Sequence, residues 1–303
     1  MHLTHDNYFS REASLEYMSV SQYKRWCECP ARARAELLGE WSEPTSPAML
    51  GSSYADVAIL SPDELPAWMD THEVGLRDAG LVSKKDGVTP LSTMRAIGLA
   101  IHRAQSEPVI QEYLEGEHQR IFTCEIGGVP WKCCLDVYNE GVSFTDLKVM
   151  ASLDETYTKD WDIFTTLVMR REGVRPQVAQ GRWAWYEAYN YWLQMAVYQA
   201  AIARNDGDLL EPYLLALTKD ADLDKGRIPA VQIVRFTNQG RLAHEIEKIE
   251  GSDAVDGKLP VILRWKSGEE EAPMCGQLSC AYCRAKMPIE PIDAIDFRHG
   301  MVG

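Results

Sequence analysis

Two aspartates and a lysine stand close together in the stretch CLDVYNEGVSFTDLK, residues 134–148: Asp136, then Asp146-Leu147-Lys148. Two carboxylates brought within reach of each other can hold a hard divalent cation, Mg²⁺ or Mn²⁺, through their oxygens. Such a cation activates water, neutralises charge on a reacting phosphoryl group and stabilises the leaving oxygen, with a second ion shared through the substrate phosphate. A lysine two residues beyond the second aspartate can orient that water, help to deprotonate it and balance the charge of the scissile phosphate. The chemistry these residue types allow is therefore phosphodiester hydrolysis; the bland alternative is a polar hairpin.

The elements around them decide whether the groups converge. VPWKCCLDVYN and SFTDLKV read as strands joined by a three-residue loop, Asn139-Glu140-Gly141, with Gly141 supplying a left-handed conformation. Centred on Glu140, the hairpin sets Tyr138 opposite Val142 and Asp136 opposite Phe144. Alternation along the strands then projects Asp136, Phe144, Asp146 and Lys148 from one face and Leu135, Val137, Ser143 and Leu147 from the other. Asp136 and Asp146 become diagonal neighbours, roughly 7–8 Å apart at the backbone.

The rest of the chain alternates helical and extended patterns. SVSQYKRWCEC opens on a capping box, Ser19 with Gln22, and Pro30 is placed to begin a further helix. EPTSPAML reads as a loop and GSSYADVAIL as a helix start; residues 90–115 read as helix, followed by the strand RIFTCEIGG. RWAWYEAYNYWLQMAVYQAAIAR reads as one long helix ending at the turn residues NDGD, and PYLLALTKD and AVQIVRFTN as strands. This order predicts an α/β fold, a central mixed β-sheet flanked by helices. Residues 1–303 are expected to form one domain: an N-terminal helical part over 1–60, a catalytic α/β core over 90–250 and an irregular cysteine-containing segment over 251–303. In the long helix Gln194 and Tyr198, four residues apart, share one face. The aromatics WAWYEAYNYW are core more readily than a base-stacking surface, and Arg170, Arg171 and Arg175 could line a nucleic-acid path.

Eight cysteines occur in clusters. Cys275, Cys280 and Cys283 follow a C-x4-C-x2-C spacing and need a fourth thiolate to close a tetrahedral site; Cys29 is the candidate, with Cys27 as substitute. The cysteines bind Zn²⁺ or a 4Fe-4S cluster, or carry no metal. Cys124, Cys133 and Cys134 fall on strands, where small buried hydrophobes are the ordinary reading. A formal charge of −14 excludes a broadly basic surface that coats nucleic acid, though not a local basic channel. No apolar run approaches the ~20 residues that span a bilayer, and the N-terminal residues lack a secretion pattern, so no membrane association and a cytoplasmic location are expected.

With these residues in place, the chain resembles the PD-(D/E)XK (restriction-endonuclease-like) nuclease superfamily. Asp136, then Asp146-Leu147-Lys148, resembles its signature, and Gln194 with Tyr198 matches the Q-x-x-x-Y arrangement of the RecB-like branch. YMSVSQYKRWCECPARARAELLGEW followed by GSSYAD resembles the N-terminal part of RecE-type phage and prophage exonucleases, so the likeness runs from about residue 17 to about 287. The resemblance implies a metal-dependent exonuclease that degrades linear double-stranded DNA with two divalent cations and leaves 3′ single strands for a single-strand annealing protein. It also implies a ring-like homo-oligomer and a phage- or prophage-encoded protein. Carried over, Asp136 and Asp146 would be metal ligands, Leu147 would lend its backbone carbonyl, and Lys148 would be the catalytic lysine. The chain departs from the branch in placing Asp56 where a metal-binding histidine is usual; aspartate is a harder ligand than imidazole and suits Mg²⁺. Glu125 is a further acidic group, more readily a surface residue. One cysteine before the core and three after it resemble the iron-sulfur members of the branch, although their final spacing is C-x2-C-x5-C. The rival reading is a catalytically inactive nuclease-fold protein that binds DNA ends or a recombination partner.

Overall fold

A computed structural model of the chain describes residues 1–43, 45–154, 156–157, 182–251, 258–277 and 279–286. Arg170, Arg171 and Arg175 lie outside the described residues, as do parts of the cysteine-containing C-terminal segment. Helices α1 (Arg11–Glu16), α2 (Val20–Glu28), α3 (Pro30–Leu38), α4 (Pro47–Leu60), α5 (Leu65–Asp78), α6 (Ser92–Ser106) and α7 (Pro108–Leu114) precede a five-stranded sheet. The sheet is built from β1 (Glu117–Ile126), β2 (Val129–Asn139), β3 (Ser143–Met150), β4 (Glu211–Thr218) and β5 (Val231–Arg235), in that spatial order. Helices α8 (Trp185–Ala188) and α9 (Tyr191–Asp206) lie between β3 and β4, and α10 (Gln239–Glu250), α11 (Leu259–Ser267) and α12 (Ala281–Lys286) follow β5.

The three hairpin-type joins are antiparallel, whereas β3 and β4 run parallel along their whole length. A parallel join needs a crossover, and α9 lies within it, brought across the sheet. β4 is buried on both faces: Leu215 and Leu217 join Val137, Leu147 and Val149 against α4 and α6, while Leu214 and Ala216 join Phe144 against Met195 and Ile202 of α9. Each such aliphatic side chain withdrawn from water contributes roughly 1.5–3 kcal/mol before entropy is counted. A further cluster around Trp26, Trp131, Ile262 and Trp265 ties α2 and α11 to the far end of β2.

The hairpin differs from its expected register. Asn139 pairs with Ser143, Tyr138 with Phe144 and Val137 with Thr145, so the loop is Glu140-Gly141-Val142. Gly141, at φ 70°, takes the left-handed position in the middle of the turn, and Val142 is left exposed. The pairing slides by two residues, which by itself keeps the expected faces and moves Asp136 from opposite Phe144 toward Asp146, but the alternation breaks around Asp136: Leu135, expected beside Val137 and Leu147, packs with Phe144 on the α9 side.

Beyond Val137 the two strands part. On the vacated side of β2, Met18 takes the place of β3: its N–H donates to Pro130 O at 2.8 Å and its carbonyl accepts from Lys132 N at 2.8 Å. Gln119 of β1, at φ 57°, interrupts the ladder beside Asp136 between the His118–Val137 and Arg120–Leu135 pairs. The sheet thus opens into a fork with Asp136 at its base and α2 beginning in the gap.

Other elements also depart from expectation. The single aromatic helix is two, because Asn190 adopts a left-handed conformation (φ 51°) between α8 and α9. Residues 90–115 divide at Glu107, whose extended backbone is what a following proline favours. α4 begins earlier than expected, with Ser46 capping Met49 N and Pro47 in the first turn. The C-terminal segment is not wholly irregular, since it contains α11 and α12.

Candidate active site

Strand β3 sends Asp146 to the α9 side of the sheet, where it is 2% exposed. Its two oxygens are held differently. Oδ1 accepts a hydrogen bond from Gln194 Nε2 at 2.5 Å, and Gln194 in turn donates to the Tyr198 hydroxyl at 3.2 Å. The two α9 residues expected to share a face do so, Gln194 bonding the carboxylate and Tyr198 bonding Gln194. Oδ2 lies 2.5 Å from Lys148 Nζ but is not aligned for a hydrogen bond. Lys148 donates to Leu147 O at 3.1 Å and stands 5.9 Å from the centre of the Tyr191 ring.

Asp136 faces this group across the fork. Its Oδ2 accepts from Leu147 N at 2.8 Å, replacing the ladder bond lost where the strands separate, and its Oδ1 receives Gln119 Nε2 at 3.4 Å. Burial, then the nearby Asp146 charge, push the Asp136 carboxyl up to about 8. Burial by itself would lower the Lys148 pKa, but the carboxylates of Asp146 and Asp136 more than offset it and hold the ammonium well above the ordinary lysine value. Asp56, on α4, joins the same field: burial raises its carboxyl to about 6, lowered in part by Lys148 and raised by Asp146. Its Oδ1 is buried without a hydrogen-bond partner among the described residues.

The chemistry of the donors fits a hard cation: the carboxyls of Asp56, Asp136 and Asp146 share the field of one ammonium, Asp56 carries an orphaned buried oxygen, and one Asp146 oxygen accepts no hydrogen bond. Sequence reasoning missed Lys24 of α2, which donates to Tyr189 O at 2.9 Å and lies 5.2 Å from the Tyr191 ring centre. Burial and then repulsion from Lys148 bring its ammonium down to about 8, so the centre carries a second cation that gives up its proton readily. Nothing in the local sequence marks Lys24; only the seating of α2 in the fork brings it here.

The cysteine residues expected to cluster do so. The sulfurs of Cys29, Cys275, Cys280 and Cys283 lie within 4.8 Å of one another, with Cys283 Sγ 3.5 Å from both Cys29 and Cys275. Cys29 is reached because it ends α2 and caps α3, and Ala31 N donates to Pro273 O at 3.1 Å beside it. Cys27 is outside the quartet and packs against the α2 core cluster, while Cys133 is a buried strand residue. Glu125 is exposed on β1, away from the fork. The aromatics Trp185, Tyr191 and Trp192 pack in or against the core under α9. No described helix is long and apolar enough to cross a membrane.

The geometry agrees with what the chain is similar to. A crystal structure of a candidate exonuclease from Eubacterium rectale superposes with a TM-score of 0.77 at 26% identity, over 100% of both chains. No curated protein matches the sequence significantly. The model of a family described as a PDDEXK-like domain of unknown function (DUF3799) matches residues 19–286. That span takes in the fork, α9 and the whole cysteine quartet, and the chain belongs to this PDDEXK-like family, a nuclease fold.

Proposed function

We propose that the protein is a metal-dependent exodeoxyribonuclease acting on linear double-stranded DNA. The observation that carries this is the joint engagement of Asp146 by Gln194 and Lys148 at the base of the β2–β3 fork, with Asp136 and Asp56 facing it. Asp56, Asp136, Asp146 and the Leu147 carbonyl would hold Mg²⁺ or Mn²⁺, two ions with substrate. The bound cations would supply charge neutralisation and an activated water. Gln194, braced by Tyr198, fixes the Asp146 carboxylate. Lys148, kept protonated by Asp146 and Asp136, neutralises the scissile phosphate and orients the attacking water. Lys24 gives the phosphate a second positive neighbour.

The exonuclease leaves a 3′ single strand for an annealing protein and works in the cytoplasm as a homo-oligomeric ring around its DNA; the resemblance to RecE-type enzymes supports these finer points. The entire chain acts as one nuclease domain, its C-terminal cysteines closing onto the N-terminal helices. The quartet holds Zn²⁺: four thiolates around one ion with Zn–S bonds of ~2.3 Å stand ~3.8 Å apart, in keeping with the sulfur spacing here. A cubane would set iron between its centre and each thiolate and need the sulfurs wider apart.

The test is digestion of end-labelled linear duplex, with circular duplex alongside, by the wild type and by Asp146→Ala and Lys148→Ala. Mg²⁺-dependent loss of the linear DNA alone, absent with EDTA and in both folded variants, is the expected result. A folded, cysteine-metal-replete protein that binds DNA ends without cleaving them in Mg²⁺ or Mn²⁺ would instead be the inactive nuclease-fold binder.

A further inference from the structure

A second concavity adjoins the carboxylate centre along α2. Its inner part, about 210 Å³, is bounded by Gln194 and Tyr198 on one side and by Lys24 and Lys132 on the other. Through Tyr8, Ser19, Ser21 and Lys132, which line both spaces, it continues into a mouth of about 410 Å³ that reaches Phe9 and Arg25. The mouth alone has the volume of sites that take ligands of nucleotide size, ~300–1,000 Å³.

Lys132 is the unusual residue here. It is 4% exposed, its ammonium donates to Tyr8 O and stands 4.8 Å from the Tyr8 ring centre, and among the described residues no carboxylate pairs with it. A buried ammonium without a counter-ion is unfavourable, and it is stabilised when an anion enters beside it. The acidic residue of the mouth, Glu36, is already engaged by Arg25 at 3.4 Å and Arg32 at 3.7 Å, so it does not cancel this field. In a chain of net charge −14 a cleft walled by lysines and serine hydroxyls is an exception to the surface at large. At the rim Phe9 is 89% exposed and edge-on to Tyr8 at 4.9 Å, an aromatic face with nothing covering it among the described residues.

We propose that this cleft seats a phosphate of the DNA strand away from the scissile bond, with Lys132 as its buried counter-charge and Phe9 stacking on the adjoining base. The inference rests on the nuclease reading, because the cleft's inner wall is the Gln194–Tyr198 pair and a strand held in it runs on into the carboxylate centre. Cationic and aromatic groups in alternation are what a single strand recognises, whatever its sequence. The phosphate is either the strand's terminal one or an internal phosphodiester.

The experiment is fluorescence anisotropy of the full-length protein with a 3′-labelled single-stranded oligodeoxynucleotide in EDTA, so that cleavage plays no part. Wild type, Phe9→Ala and Lys132→Met are compared, with 5′-phosphorylated and 5′-hydroxyl oligonucleotides as separate arms and circular dichroism to verify folding. Phe9 is exposed, so its truncation leaves the fold intact even if the buried Lys132→Met does not. The expected result is weakening of about fivefold or more in Phe9→Ala and in folded Lys132→Met. Tighter wild-type binding of the 5′-phosphorylated strand, abolished in the variants, assigns the terminal phosphate; equal binding of both strands, weakened in the variants, assigns an internal one. Wild-type binding that neither variant weakens overturns this proposal while leaving the nuclease reading in place. A wild type that binds neither oligonucleotide also overturns this inference, and the nuclease reading is judged separately by the digestion of end-labelled linear duplex with Mg²⁺.

Discussion

Replacing Asp136 by Asn should stabilise the metal-free protein and destroy its gain from divalent cations. Burial and Asp146 hold the Asp136 carboxyl at about 8 rather than the ordinary 3.8. The folded state therefore keeps a proton that the unfolded chain loses, and this group's contribution is full below about pH 4 and declines as the pH rises toward about 8. Without screening the loss would be on the order of 5 kcal/mol, at ~1.4 kcal/mol for each tenfold change in the proton equilibrium. Asp136 is half-buried, so solvent screening reduces it to ~1–3 kcal/mol. Asparagine keeps an oxygen for Leu147 N and carries no charge. Lys148, raised above the usual lysine range, stays protonated throughout this window and does not obscure the trend. Urea unfolding in EDTA at pH 5 and pH 8.5 should show the two proteins alike at the lower pH and the Asn variant more stable at the higher. Millimolar Mg²⁺ at pH 8.5 should then reverse the order, since only the wild type retains a full carboxylate set to bind it. A variant no more stable than wild type at pH 8.5 in EDTA would refute the reasoning.

Gln194→Leu should lower the cleavage rate about tenfold or more and raise the Mg²⁺ concentration for half-maximal activity, because a hydrogen bond to a buried carboxylate is worth ~1.5–3 kcal/mol; steady-state rates over a Mg²⁺ series check it. Cys283→Ser, or prolonged chelation of the wild type, should remove one equivalent of zinc by elemental analysis and destabilise the protein by several kcal/mol, measured by urea unfolding. Gly116→Ala should lower the Tm and the yield of folded protein: at φ 140° an added Cβ would stand 2.5 Å from Tyr138 O, where β1 begins its pairing with β2.

The local pattern of the sequence determined a good deal about this protein. The two hairpin strands and the shared face of Asp146 and Lys148 follow from period-two alternation, and the shared face of Gln194 and Tyr198 follows from the pitch of a helix. Resemblance to a nuclease family was legible in the same residues, and the family match bears that out. The turn was less so: placing the left-handed Gly141 in the middle of the loop rather than at its end slid the pairing by two, an outcome local propensity does not distinguish because a two-residue slip by itself keeps the same faces. The division of the aromatic helix at Asn190 was likewise hidden, since one left-handed residue outweighed an otherwise continuous helical pattern. What only the tertiary structure decided was which distant groups share space. Met18 seated beside Trp131 delivers Lys24 to the fork beside Asp146 and encloses Lys132, and α3 and α12 bring Cys29 to three thiols some 250 residues away, Cys283 being 254 residues further along the chain. Such meetings depend on how strands diverge and helices pack into the gap, and neither a strand's nor a helix's own periodicity carries that information.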